Sequence, residues 1–89
     1  MNADRKLTKD ELVRAIRFSI AAEFEAIQLY MQLHDSINDN LAKKVLLDIS
    51  NEEKEHAGEF MKLLKHLAPE EESFYKEGES EVEDMIKDM

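Results

Sequence analysis

The apolar residues of this chain recur with a helical period. Positions 12, 16, 19, 23, 26, 30, 33 and 37 advance in alternating steps of four and three, and they read Leu12, Ile16, Ser19, Glu23, Ala26, Tyr30, Leu33 and Ile37. The same stepping returns as Ala42, Leu46, Ile49, Glu53, His56, Phe60, Leu63 and Leu67. It keeps one seam of each helix turned toward a neighbour. Both seams are apolar at their ends and ionisable in the middle. A second apolar line runs through Val13, Ile20, Phe24, Ile27 and Met31. Two apolar faces are more than a two-helix hairpin can bury, so the surplus implies association with further chains.

Local signals set the boundaries. Thr8 and Glu11 form a T-x-x-E capping box, with Leu7 and Leu12 placed as a hydrophobic staple. They predict a first helix over 9–37, ending at the turn-forming run Asp35-Ser36-Ile37-Asn38-Asp39-Asn40. A second helix over 41–67 stops before Pro69. Each spans about 42 Å at 1.5 Å per residue, and the short turn between them dictates an antiparallel hairpin. Beyond lies an acidic segment, 69–89. Pro69 opens a helical turn through Phe74 and Tyr75, Gly78 breaks it, and Ser80 with Glu83 caps a short tail helix edged by Val82, Met85, Ile86 and Met89. The expected class is all-α, one domain over 1–89.

Composition narrows the chemistry. At 89 residues a chain folding alone buries only about 60% of its unfolded surface, and such domains usually need a disulfide, a metal or a partner. There is no cysteine, which excludes disulfides, thiolate metal sites and a rubredoxin-type iron centre. No apolar run approaches the roughly 20 residues that span a bilayer, so a soluble protein is expected, with no membrane partner. Net charge is −9, with residues 1–20 carrying three acids and five bases and residues 70–89 nine acids and two bases. That balance argues against nucleic-acid binding, which needs a basic face.

The ionisable middle of the seams carries the candidate chemistry. Glu53 and His56 make a Glu-x-x-His, which sets a carboxylate and an imidazole on one helix face. Glu23 holds the matching place on the first helix. Counted from the turn, Glu23 and Glu53 both lie about 20 Å away, so the three groups should meet. Three ionisable groups converge where a polar specificity layer would need one. Two carboxylates and one imidazole could hold one metal but are too few for two. Ferritin-like di-iron sites take a Glu from each of two helices and Glu-x-x-His from two more. Met31 stands three before His34, and Leu63 three before His66, so no second motif exists. A two-fold dimer of hairpins would double the set to four carboxylates and two imidazoles. Ligand type suits Fe, Mn or Zn. Tyr30, two turns from Glu23 in the seam, is a candidate redox-active neighbour or hydrogen-bond donor, set against ordinary packing of a tyrosine with its hydroxyl satisfied. His34 and His66 fall outside the seams near helix ends and are not expected to be ligands.

The stretch Glu23-Phe24-Glu25-Ala26-Ile27-Gln28-Leu29-Tyr30, followed by Asn51-Glu52-Glu53-Lys54-Glu55-His56-Ala57 and then Leu67-Ala68-Pro69-Glu70, resembles the encapsulated ferritin family, its archaeal members above all. These are two-helix ferritin-like proteins packaged inside encapsulin nanocompartments. The resemblance implies a dimer forming a ferritin-like four-helix bundle, a di-iron ferroxidase centre at its two-fold interface and a decameric ring. It further implies Glu23 and His56 as terminal ligands, Glu53 as bridging ligand, an encapsulin shell partner and a cytoplasmic location within that compartment. The chain departs from bacterial members in having Ala22 opposite Glu25, where they carry an acidic pair. It also ends in Glu83-Asp84-Met85-Ile86-Lys87-Asp88-Met89, unlike a shell-targeting peptide. The competing functions are a rubrerythrin-like peroxide reductase, whose electron donor would have to lie outside the chain, and a metal-free oligomeric interaction module.

Overall fold

The computed structural model describes residues 5–89, and the first four residues of the expected single domain lie outside them. The described chain is all-helical: α1 (Lys9–Asp35), α2 (Asn40–Leu67), a single 3-10 turn (Pro69–Glu71) and α3 (Glu72–Lys87). α1 begins on the capping box. The Thr8 hydroxyl accepts from the Glu11 amide at 3.2 Å and the Glu11 carboxylate accepts from the Thr8 amide at 3.0 Å. Arg5 adds a two-pronged ion pair to the same carboxylate, at 2.8 and 2.7 Å. Together these hold the Glu11 carboxyl down to about 2, the Arg5 guanidinium contributing most and the Thr8 amide next.

α1 stops two residues before the expected 37. The Ser36 amide bonds back to the Leu33 carbonyl at 3.0 Å, and the Lys43 ammonium reaches the His34 and Ile37 carbonyls at 3.1 and 3.4 Å. Helix-end carbonyls, orphaned by geometry, are thus satisfied from the next helix. α2 starts on Asp39, whose side chain accepts from the Ala42 amide at 2.8 Å.

The larger difference lies after Pro69. Gly78 does not break the segment, and α3 runs 16 residues straight through it. Gly78 has no positive φ. An interior glycine costs a helix about 1 kcal/mol relative to alanine, and the Glu and Lys around it are good helix formers. Ser80 and Glu83 are therefore interior residues, not a cap.

The helices do not enclose a core. Extents of 54 × 46 × 15 Å describe a plate one helix layer thick, since a helix with its side chains is about 10–12 Å across. Val13, Ile16, Ala57 and Ala68 are the buried apolar residues among those described. Side chains withdrawn from solvent follow 13, 16, 20, 23, 27, 30 and 34 on α1, and 43, 46, 50, 53, 57, 60, 64 and 67 on α2. This contact line shares Ile16, Glu23 and Tyr30, and Leu46, Glu53, Phe60 and Leu67, with the seam read from the sequence. It is rotated so that Ser50 (0% exposed) and Ala57 (2%) take the closest approach. In the other half of the sequence seam Leu33, His56 and Leu63 are exposed, while Leu12, Ser19, Ala26, Ala42 and Ile49 are half-buried. His56 is thus not buried as its seam position predicts. In one hairpin its line faces no helix.

Candidate metal centre

The three ionisable seam residues meet. One donor atom from each of Glu23, Glu53 and His56 lies within 4.8 Å of the others, and they are the one such group of three among the described residues. α1 delivers Glu23 from the contact line. α2 delivers Glu53 from that line and His56 one turn on, at its open edge. The separation of three residues puts both on adjacent rows of one helix.

The donors share a space without bonding one another. His56 Nδ1 is 3.6 Å from Glu53 Oε2 and 3.9 Å from Glu23 Oε2, beyond ordinary hydrogen-bond range. Glu23 Oε2 is fully withdrawn from solvent and has no hydrogen-bond partner among the described residues. Buried carboxylate oxygens are normally satisfied, and one that is not costs free energy. A cation removes that cost. Metal–ligand distances of about 2.1 Å put donors roughly 3.4 Å apart around a tetrahedral ion and up to about 4.2 Å apart around an octahedral one. The group present fits such an ion with a small closure.

The site is open on one side. The His56 side chain is 50% exposed, whereas those of Glu23 and Glu53 are 18% and 20% exposed. A cavity of about 260 Å³ gives onto the donors, lined by Glu23, His56, Glu59 and Phe60. Glu59, which flanks the motif in sequence, adds an acidic group at its mouth. Tyr30 is half-buried on the same face of α1. It stands about 10 Å along the axis from Glu23 and belongs to no hydrogen bond among the described residues. His34 pairs with Asp35 at 3.0 Å, and His66 is exposed on α2. Neither joins the group.

One contact had no signal in the sequence. Glu71 receives both the Arg17 guanidinium and the Tyr75 hydroxyl, tying the start of α3 to α1 across 54 positions of chain. The Tyr75 hydroxyl, more than Arg17, holds the Glu71 carboxyl below its ordinary range. The same hydrogen bond raises Tyr75.

A helical hairpin carrying a carboxylate–imidazole group on an uncovered face defines a half-bundle of the ferritin-like class. Comparison with known proteins agrees. The rubrerythrin family profile matches residues 15–87. A ferritin-like–encapsulin shell fusion protein of Pyrococcus furiosus is 44% identical over 85 residues, 96% of this chain but 25% of the relative. An encapsulin nanocompartment cargo protein of Myxococcus xanthus is 42% identical over 73 residues, 82% of this chain and 56% of the relative. The chain thus spans a quarter of one curated relative and just over half of the other. The crystal structure of the encapsulated ferritin domain from Pyrococcus furiosus superposes with a TM-score of 0.89 at 44% identity, covering 94% of this chain and 86% of that one. The chain belongs to the rubrerythrin family, within its encapsulated ferritin group. No helix among the described residues is long and apolar enough to cross a membrane.

Proposed function

We propose that the chain is a ferroxidase subunit, oxidising Fe(II) to Fe(III) at a centre completed by a second copy. The observation that carries this is the half-open donor group. Glu23, Glu53 and His56 converge within 4.8 Å on a face that its own hairpin leaves uncovered. A two-fold partner laid on that face would cover Leu33, His56 and Leu63, and would supply the other two carboxylates and imidazole of a di-iron set. Mn or Zn suits the same donors.

Iron bound there would supply two electrons, one from each Fe(II), to a two-electron oxidant; with dioxygen and two protons the product would be hydrogen peroxide. The chain's residues do the rest. Glu23 and His56 would hold the metal as terminal ligands, and Glu53 would be the ligand shared between the two copies' metals. Carboxylates favour the more highly charged ferric product. Glu59 draws cations to the mouth of the cavity, and Tyr30, on the same face of α1, is the candidate donor beside the centre. The hairpin has no interior for a mineral, so the ferric product must be stored outside it. The names of the relatives point to an encapsulin shell as that compartment and as the partner. Dimers closing into a ring, ten chains by family likeness, would present their centres to it.

Anomalous scattering at the iron edge tests the shared site. The expected result is two irons related by a two-fold axis, one per chain. Stopped-flow absorbance tests the activity: His56→Ala should abolish rapid ferric formation, while His34→Ala and His66→Ala retain it. Metal held wholly within one chain, or equal rates in all three variants, would overturn the proposal. Turnover of peroxide with an external reductant, without ferric release, would favour a peroxide reductase.

A further inference from the structure

Glu53, His56 and Glu59 follow one another along α2 at intervals of three. A helical side chain leans back toward the N-terminus of its helix, over the turn before it. That lean carries the His56 ring onto Glu53, with Nδ1 3.6 Å from Glu53 Oε2. The same lean, one step further on, carries Glu59 back toward His56. The two side chains line one cavity, together with Glu23 and Phe60.

The ring has two nitrogens, and the carboxylates of the donor group account for one. Nδ1 is turned to both Glu53 and Glu23, at 3.6 and 3.9 Å. Nε2 stands at the far corner of a side chain that is 50% exposed. A histidine that ligates metal through one nitrogen almost always donates the N–H of the other to a carboxylate, a backbone carbonyl or a water. That bond fixes the tautomer and the ring's orientation, and it makes the ligating nitrogen more basic. Two carboxylates of α2 stand within helical reach on the outer side of His56: Glu52, four residues before, and Glu59, three after. Both are exposed. Of the two, Glu59 lines the cavity, whereas Glu52 leans on toward the hairpin turn. Glu59 joins no ion pair among the described residues, so no other charge holds its carboxylate elsewhere.

We propose that Glu59 accepts the Nε2–H of His56 and so keeps Nδ1 aimed at the metal. It is a positioning residue and not a ligand, since it is not part of the group that converges within 4.8 Å. The inference rests on the metal reading of Glu23, Glu53 and His56 and gives Glu59 a task beyond attraction. Attraction speeds the arrival of an ion; a ring held in place slows its departure.

Zn(II), which binds the same donors without redox chemistry, is the probe, and the full-length protein is used throughout. Stopped-flow competition with a chromophoric chelator gives association and dissociation rates, in physiological salt to screen exposed charges. Glu59→Ala should lower Zn(II) affinity roughly 10–100-fold, chiefly through faster dissociation. Glu59→Gln keeps an acceptor oxygen and should recover part of that loss. Glu52→Gln removes the same charge on the other side of His56 and should leave dissociation unchanged. Far-UV circular dichroism checks that helicity is the same in each. In a crystal structure of the Zn(II)-loaded protein, a Glu59 oxygen should lie within hydrogen-bond distance of His56 Nε2. Zn(II) held by Nε2 itself, or Nε2 bonded to any other group, would overturn the proposal. So would equal losses in Glu52→Gln and Glu59→Gln confined to association, which would leave Glu59 as an attractor alone. An unsubstituted protein that binds no Zn(II) would remove the metal reading as well, whereas normal binding with no change in Glu59→Ala removes this inference by itself.

Discussion

Glu53→Gln should stabilise the metal-free protein and destabilise the metal-bound one. In the absence of metal, the donor oxygens of Glu23 and Glu53 lie within 4.8 Å. Two unit charges at that distance repel by about 3.5 kcal/mol at an effective dielectric of ~20, and by about 0.9 kcal/mol in bulk water. Side-chain exposures of 18% and 20% place the pair between these limits. Glutamine keeps the shape, removes one charge and brings an amide donor near Glu23 Oε2, which has no partner; a gained hydrogen bond adds roughly 0.5–1.5 kcal/mol. A gain of about 2 kcal/mol follows, or roughly 8–16 °C in Tm for a chain of this size. With metal the order reverses. A ligand present at a hundredfold its Kd stabilises the native state by about 2.7 kcal/mol, and a site lacking one carboxylate forfeits much of that. The assay is thermal unfolding by circular dichroism at fixed protein concentration and pH 8, first with chelator, then with excess Zn(II), which binds the same donors without redox chemistry. A lower Tm for Glu53→Gln in chelator, with an undiminished metal-induced rise, would show that Glu53 is a structural group and not a metal ligand.

Two further outcomes follow from the helices. The Glu11 carboxyl, held to about 2 against roughly 4.3 in an unfolded chain, adds stability that is present above the unfolded value and lost as pH falls through the folded one. Glu11→Gln should therefore melt below the parent at pH 7 and converge with it toward pH 2; a gap independent of pH would mean that the Arg5 pair contributes nothing. Gly58→Ala adds a methyl with no heavy atom within 4 Å and should raise stability by about 1 kcal/mol in urea titration, whereas a loss of assembly would show that another chain passes close to Gly58.

Features governed by short-range chemistry are legible in the sequence. The Thr8–Glu11 cap, the turn over residues 35–40 and the stop at Pro69 depend on residues close together in the chain. The meeting of Glu23, Glu53 and His56 is legible as well, because a rigid rise per residue turns distance from the hairpin turn into height. What is not legible is rotation. On α1 the lines through Leu12 and Ala26 and through Val13 and Ile27 are both apolar, and hydrophobicity cannot choose between them. Side-chain size on the facing helix chooses: Ser50 and Ala57 let the backbones approach on their side, which turns His56 outward. A hydrophobic reading passes over a serine and an alanine. The Gly78 break fails for a different reason, since a glycine penalty near 1 kcal/mol is a bias and not a stop. Fifty-four positions separate Arg17 from Glu71, and only the returning chain brings them together.

Ser50 and Ala57 bracket the Glu53–His56 pair, one a turn before it and the other directly after. They fix how far α2 stands from α1, and with it how far Glu53 and His56 stand from Glu23. The bore of the site is thus cut by two small residues. Ions taking ligands at about 2.1 Å need the present spacing to close a little, while calcium, at 2.3–2.6 Å, needs less closure. A larger side chain at either position would push the helices apart and re-gauge the centre toward the larger ion. In this chain, helix spacing and choice of cation are one dimension.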